Sequence, residues 1–343
     1  MGMKRRTFLI GSALCGSALY GCAPSSVETT AKAAYSEIDS TQPGSASAPT
    51  VAVFMPRTAQ ASEVWTGLRD ELASDFKLIA VEVEGRESAP AIAEGLRRHR
   101  PDGIVLMNNP TLAAYRDVQR HTQNKDFPPA VVVMTSFLVK RPPGLIATTG
   151  ISYEVPLITV VTNLRRLMAK PITRVGIVAR SSLVGFVRHQ VELAAREHIS
   201  VHVEEVSARP NAAEIKRAIR RAKRGVDALW ILNDNQTLSP DLIADAWLPG
   251  MNERPWVPAI VGAAPLVSPK IGFGTFGVLP DHTALGAQTA NMLLDLADND
   301  WVLPEGTDVE LPLSTLATID LPQADQRFAL RSDALQMVDR VLK

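Results

Sequence analysis

The sequence predicts an α/β protein with two lobes, each built on a parallel β-sheet with helices on both faces, and a hinge between the lobes. From Thr50 onward, short apolar runs alternate with segments of helical periodicity, which is the pattern of parallel sheets covered by helices. The alternation starts again near Arg174, which indicates a second sheet. A chain of 343 residues is long enough to form two cores of ordinary domain size.

The first series contains buried strands separated by helices. Val64, Leu68 and Leu72 have helical spacing after the first strand, and Ile92 and Leu96 mark a second helix. The predicted strands are 51–54, 78–81, 103–107 and 130–134, and a third helix is expected over 111–123.

The second series repeats this order, with an apolar helix face formed by Ile215, Ala218 and Ala222. Ligands of open parallel sheets bind beyond the carboxyl ends of the strands, so two facing lobes predict a cleft that closes by a hinge. The predicted strands are 174–179, 201–203, 228–232 and 257–261, with helices over 183–195 and 242–247. We expect the first lobe to comprise 50–152 and 277–318, and the second lobe 153–276 and 319–343.

The N-terminus has the pattern of an export signal. The basic cluster Lys4-Arg5-Arg6 precedes an uncharged apolar run over 8–20, which is shorter than the roughly 20 residues that span a bilayer. The run ends in Leu19-Tyr20-Gly21-Cys22, which resembles a lipobox, so we expect 1–21 to be removed and Cys22 to be lipidated. The arginine pair also resembles a twin-arginine signal, and an ordinary signal that contains two arginines stays an alternative.

Residues 22–49 are predicted to form a flexible tether, because small and polar residues dominate them. Cys15 lies within the predicted signal and Cys22 would carry lipid, so no disulfide is expected. The sequence thus predicts an exported protein that is lipid-anchored in the cell envelope.

Five stretches of the folded part follow one another in an order typical of one family. In this order they resemble solute-binding proteins of bacterial ABC transporters, in the group with tryptophan- and tyrosine-type binding proteins and the type 1 periplasmic-binding-protein fold. The stretches are 149–152 (T-G-I-S), 173–178 (T-R-V-G-I-V), 227–235, 273–277 with 285–286, and the tail 317–342, which resembles a crossing strand and a closing helix.

The resemblance implies a monomer that captures a small molecule, such as an amino acid, and presents it to an ABC permease in the inner membrane without catalysing a reaction. A sensory module that reports the ligand to a membrane receptor is one alternative. A structural lipoprotein with a decayed cleft is another, because the loops at 135–137, 143–148 and 180–182 differ from the family's D-P, P-G-G-N and N-P-S-E patterns.

Candidate ligand contacts are polar or aromatic side chains in loops that follow strands, since binding pockets combine a few polar groups with apolar walls. Asp234, with Asn235, suits a ligand ammonium, and Arg57 suits a carboxylate. The candidates are Arg57, Thr58, Asn108, Asn109, Thr135 and Ser136 in the first lobe, Ser181, Ser182, Asp234 and Asn235 in the second, and Phe137, Tyr153 and Phe276 as stacking surfaces. Structural roles stay open for three groups: a turn at Asp234-Asn235, a helix start at Asn108-Asn109, and an N-cap at Ser181 or Ser182.

Other chemistries are not indicated. The G-x-G-x-x-G match over 272–277 comes late and does not open a helix, so neither a nucleotide nor another cofactor is expected. The basic residues of 216–224 fall mostly on a solvated helix face, and the chain has 36 basic and 36 acidic residues, so no nucleic-acid footprint is present. His198 and His202 do not share a face, and no metal site is expected. The sequence contains neither a nucleophile elbow nor a P-loop, so no enzyme is expected.

Overall fold

The computed structural model describes residues 35–84, 88–122 and 126–343. The predicted signal, Cys22 and the first part of the predicted tether lie outside these residues. Within them, the chain forms two sheets with helices packed on both faces, which confirms the predicted α/β class. Both sheets are mostly parallel, as predicted, but each contains one antiparallel pair and is therefore mixed. None of the helices in these ranges is long and apolar enough to cross a membrane.

The first sheet is a parallel array with one antiparallel edge strand. Val53 packs with Leu68 on one face, whereas the next side chain, Phe54, packs with Tyr115 on the other, so a single strand supports two layers of helices. The strands are β1 (Ser36–Ser40), β2 (Thr50–Met55), β3 (Lys77–Glu82), β4 (Gly103–Met107), β5 (Ala130–Thr135) and β6 (Thr148–Ser152), in the spatial order β1-β3-β2-β4-β5-β6. Its helices are α1 (Ala59–Leu72), α2 (Ser88–His99) and α3 (Asn109–His121).

Strand β1 lies within the segment predicted to be a flexible tether, and it corrects that prediction for Ser36–Ser40. It pairs antiparallel with β3 at the edge of the sheet. The indole Nε1 of Trp65 donates to Asp39 Oδ2 at 2.9 Å, and Thr41 Oγ1 accepts from the backbone N–H of Leu78 at 2.8 Å. An edge strand that faces solvent needs few apolar residues, so composition alone does not reveal it.

The second sheet has seven strands and contains the antiparallel pair β11–β12. For the C-terminal tail the sequence predicted a crossing strand and a closing helix. The structure has the strand, but a short helix and another strand follow it. The strands are β7 (Arg174–Arg180), β8 (Ser200–Val206), β9 (Ala228–Ile231), β10 (Ala259–Val261), β11 (Phe276–Pro280), β12 (Thr315–Asp320) and β13 (Arg340–Leu342), in the order β13-β12-β11-β10-β9-β7-β8. The helices around this sheet are α4 (Leu157–Leu167), α5 (Val184–Ala195), α6 (Ala212–Ala222), α7 (Pro240–Leu242), α8 (Leu248–Asn252) and α10 (Leu321–Arg327), with a π-helical turn over Ile243–Trp247.

Three chain segments connect the two sheets. β6 leads into α4, β11 leads into α9 (His282–Asp298), and residues 299–314 lead back into β12. Helix α9 packs against α1, and both glycines of this contact, Gly67 and Gly286, touch the backbone of the opposite helix. We propose lobe boundaries that follow the sheets, with α9 and 299–314 in the first lobe and both β11 and β12 in the second.

Candidate ligand-binding cleft

A cavity of about 470 Å³ lies where the carboxyl ends of strands from the two sheets meet. One wall comes from residues that follow β2, β4 and β5, and the other from residues that follow β9 and β10. Its volume is within the range of small-molecule pockets, about 300 to 1,000 Å³. Six predicted ligand residues line it: Thr58, Asn108, Asn109, Ser136, Tyr153 and Asn235.

Two of these side chains cap helices that begin at the cavity. Thr58 Oγ1 accepts a hydrogen bond from the backbone N–H of Ala61 at 3.2 Å, at the start of α1. Asn108 Oδ1 accepts from the backbone N–H of Thr111 at 3.0 Å, at the start of α3. Thr58 and Asn108 can cap a helix and still line the cavity, because capping uses only the side-chain oxygen.

Carboxamide side chains form much of the remaining wall. Asn109 Oδ1 accepts from the backbone N–H of Ser136 at 2.9 Å, which links the loops after β4 and β5. Gln60 extends the wall on the first lobe, and Asn233 and Asn235 extend it on the second. The cavity surface is therefore rich in amide groups contributed by both lobes.

Tyr153 is held in the wall by a chain of two hydrogen bonds. Its hydroxyl is 2.9 Å from His282 Nε2, and His282 Nδ1 is 2.9 Å from Glu63 Oε2. The two rings stack, with centroids 6.0 Å apart and planes inclined by 17°. Burial raises the pKa of Tyr153 to about 12, so the phenol stays protonated at neutral pH.

Glu154, the next residue along the chain, is a buried carboxyl at the crossing into α4. Burial raises its pKa to about 7, although the backbone N–H of Phe137 donates to its Oε2 and partly opposes this effect. Its Oε1 has no hydrogen-bond partner among the described residues. Glu154 also borders a groove of about 900 Å³ that runs along α5.

Asp234 is held by an internal ion pair. Arg180, at the end of β7, donates from Nε to Asp234 Oδ2 at 2.5 Å and from Nη2 to Oδ1 at 2.8 Å. Asp234 Oδ1 also accepts the backbone N–H of Gln236 within the turn. The side chain is 5% exposed and does not line the cavity, so this position offers no free carboxylate to a ligand ammonium.

Three predicted contacts are exposed but lie outside the cavity wall. The Arg57 side chain is 69% exposed and pairs with Glu82, with 2.5 Å between Nη2 and Oε2. Ser181 and Ser182 form an exposed 3₁₀ turn, and neither side chain caps this turn or the start of α5. The N-cap alternative for these serines is therefore wrong.

Three other predicted contacts are partly or fully buried and do not line the cavity. Thr135 is buried, and its hydroxyl has no partner among the described residues. Phe276 is 1% exposed in the second lobe's core, so it presents no stacking surface. Phe137 packs edge to face with Phe186, with ring centroids 5.1 Å apart.

Three polar residues of the cavity wall were not predicted: Gln60, Asn233 and His282. Asn233 directly precedes the predicted pair and follows the same strand. His282 follows β11, so the rule that polar residues after strand ends line the cleft applies to it once that strand is recognised. Gln60 lies inside the first turn of α1, beyond the loop that the rule considers.

Comparisons with known proteins reveal similarity of fold. No protein-family model and no curated protein matches the sequence. An ABC domain in complex with L-Trp from Streptococcus pneumoniae is 18% identical, with a TM-score of 0.53, and the match covers 85% of this chain and 100% of that one. CD0873, a substrate binding protein with adhesive properties from Clostridium difficile, is 15% identical in its ligand-free, open structure, with a TM-score of 0.59 and coverage of 86% and 99%.

A conserved domain protein from Vibrio cholerae is 17% identical, with a TM-score of 0.53 and coverage of 86% of this chain and 99% of that chain. These matches span most of the chain and nearly all of each similar structure. The protein therefore has the two-lobed fold of periplasmic binding proteins.

Proposed function

We propose that this protein is a solute-binding protein of the cell envelope, which captures a small molecule between its lobes and presents it to an ABC permease. The observation that carries the proposal is the cavity of about 470 Å³, whose walls come from the strand ends of both sheets. Such a cavity can enclose a ligand when the lobes close by a hinge. The fold it shares with CD0873, a substrate binding protein, supports the same role.

Thermal unfolding of the purified protein, measured against amino acids, short peptides, nucleosides and sugars, tests this proposal. A ligand present at 100 times its Kd stabilises the folded state by about 2.7 kcal/mol. We expect one chemical class to raise the unfolding temperature. No shift across the panel would contradict capture and favour the structural lipoprotein.

Asn235→Ala is expected to abolish most of that shift while leaving the unfolding temperature without ligand unchanged. Asn235 is exposed, lines the cavity and makes no hydrogen bond among the described residues, so its removal costs the fold little. The matched control is Gln236→Ala, because Gln236 is also exposed but does not line the cavity. Equal loss of the shift in both variants would place the ligand elsewhere.

We also propose export and lipid anchoring at Cys22, which the basic cluster, the short apolar run and the lipobox-like sequence support. Cys22→Ser is expected to move the protein from the membrane fraction to the soluble fraction, because the lipid attachment atom is lost. Cys15→Ser, within the same signal, serves as the control and should leave the protein membrane-bound. A membrane-bound Cys22→Ser protein would contradict anchoring at this residue.

A further inference from the structure

The described residues of the cavity wall include no carboxylate, ammonium or guanidinium side chain, since none is Asp, Glu, Lys or Arg. Its one imidazole, His282, is already paired with Glu63. The two predicted charge contacts, Arg57 and Asp234, are already paired with Glu82 and Arg180. An ionised ligand group would therefore lose water in this cavity without gaining a counter-charge, which is costly.

The first-lobe wall presents hydrogen-bond donors. The side-chain oxygens of Thr58, Asn108 and Asn109 accept bonds from backbone N–H groups. The Thr58 hydroxyl hydrogen and both amide N–H₂ groups make no bond among the described residues, so they can donate to a ligand. A ligand that faces this wall needs acceptor atoms such as hydroxyl, carbonyl or ring nitrogen atoms.

Tyr153, by contrast, presents a hydrogen-bond acceptor. Glu63 accepts from His282 Nδ1–H, which places the proton of a neutral imidazole on Nδ1 and leaves Nε2 as an acceptor. The Tyr153 hydroxyl then donates to Nε2, and its oxygen can accept a bond from the ligand. On the second lobe, Asn233 and Asn235 add amide groups that can both donate and accept.

We propose that the ligand is an uncharged polar molecule, a sugar, polyol or nucleoside, and not a zwitterion such as an amino acid. This inference rests on the proposed function and names its ligand class. Hydroxyl groups and heterocyclic edges both donate and accept, which matches a wall with donors on one side and an acceptor on the other. A neutral ligand also needs no counter-charge when it is desolvated.

Binding of matched ligand pairs, measured by calorimetry on the purified protein, tests the inference. Each pair shares a scaffold and differs in charge: uridine with uridine monophosphate, glucose with glucose 6-phosphate and with glucosamine, and indole-3-ethanol with L-tryptophan. We expect one neutral member to bind at least about tenfold more tightly than its charged counterparts.

A charged member that binds more tightly than its neutral counterpart would overturn the inference and leave the proposed function standing. If no member of the pairs and no compound of the wider panel binds, the proposed function is overturned and, with it, the inference. Asn235→Asp provides a second readout with whichever pair binds, since a carboxylate in the cavity should favour an amine and disfavour a phosphate relative to the neutral member. Gln236→Glu adds the same charge outside the cavity and should leave the preference unchanged.

Discussion

The ion pair between Arg180 and Asp234 shows how a charged residue at a strand end can serve the fold. The two residues are separated by 54 positions, and they meet because β7 and β9 are neighbours in the second sheet. The pair is bidentate and mostly shielded from water, with 16% and 5% of the two side chains exposed. Asp234 lies in the turn that carries Asn233 and Asn235 into the cavity wall, so we expect the pair to hold this turn.

Arg180→Met is expected to lower the free energy of unfolding by about 3 kcal/mol, because it leaves the Asp234 carboxylate buried without its partner. The control is Arg57→Met, which removes an exposed partner of Glu82 and should cost no more than about 1 kcal/mol. Urea unfolding of both variants measures the difference. Similar small losses would mean that the Asp234 pair contributes little to the fold.

Residue roles could be predicted only where they depend on local sequence. Thr58, Asn108 and Asn109 follow predicted strands, and the structure places all three in the cavity wall. The pairing of Asp234 could not be predicted, because it depends on which strands become neighbours. The prediction of Phe276 as a stacking surface was wrong for the same reason, since its burial follows from its place in the second sheet.

At the level of elements, the contact between α1 and α9 depends on two glycines. A Cβ on Gly67 would lie 2.0 Å from the backbone oxygen of Thr283, and one on Gly286 would lie 2.2 Å from that of Val64. Helix α9 follows a strand of the second sheet but packs on the first, so this close contact helps to fix one of the connections between the sheets.

Gly67→Ala is expected to destabilise the protein by about 1 to 3 kcal/mol, because the methyl group has no space between the helices. Gly185→Ala is the matched control, since Gly185 is also helical but a Cβ there meets nothing within 4 Å. That control should be neutral or stabilising by up to about 1 kcal/mol. Thermal unfolding distinguishes the two, and equal stability of both variants would contradict the close packing of α1 and α9.

Buried elements were predictable and edge elements were not. Strands β2 and β4 are continuous apolar runs at the centre of a sheet, so their sequences alone identify them. β1 lies at a sheet edge, where the chain can be polar, and composition suggested a tether. The alternation of strands and helices did not predict the antiparallel strand β12, because the irregular segment 299–314 precedes it, and only the family resemblance indicated a crossing strand there.

For the molecule as a whole, Glu154 makes stability depend on pH at a crossing between the sheets. The unfolded carboxyl releases its proton near pH 4.5, whereas the folded one keeps it until about pH 7. The folded state therefore binds more protons between these values, so the free energy of unfolding decreases as pH rises through this window and levels off above it. The loss can reach about 3 kcal/mol.

Glu154→Gln is expected to flatten this decrease between pH 5 and 7, because the amide does not ionise. Urea unfolding at a series of pH values measures the slope. Glu192→Gln is the control, since Glu192 borders the same groove but is exposed. The free energy of unfolding of this variant should depend on pH as that of the unchanged protein does. Identical slopes for all three proteins would contradict the assignment to Glu154.

The edge strand β1 also bears on how the protein can be truncated. The first strand that the apolar pattern predicts is 51–54, so the sequence alone would suggest residue 50 as the start of a shortened chain. Such a truncation would uncover the edge of β3, whose residues 78–81 are apolar and whose free backbone groups could pair with another molecule. We therefore expect β1 to protect this edge from pairing with other chains, and a chain that starts upstream of Ser36 to aggregate less than one that starts at residue 50.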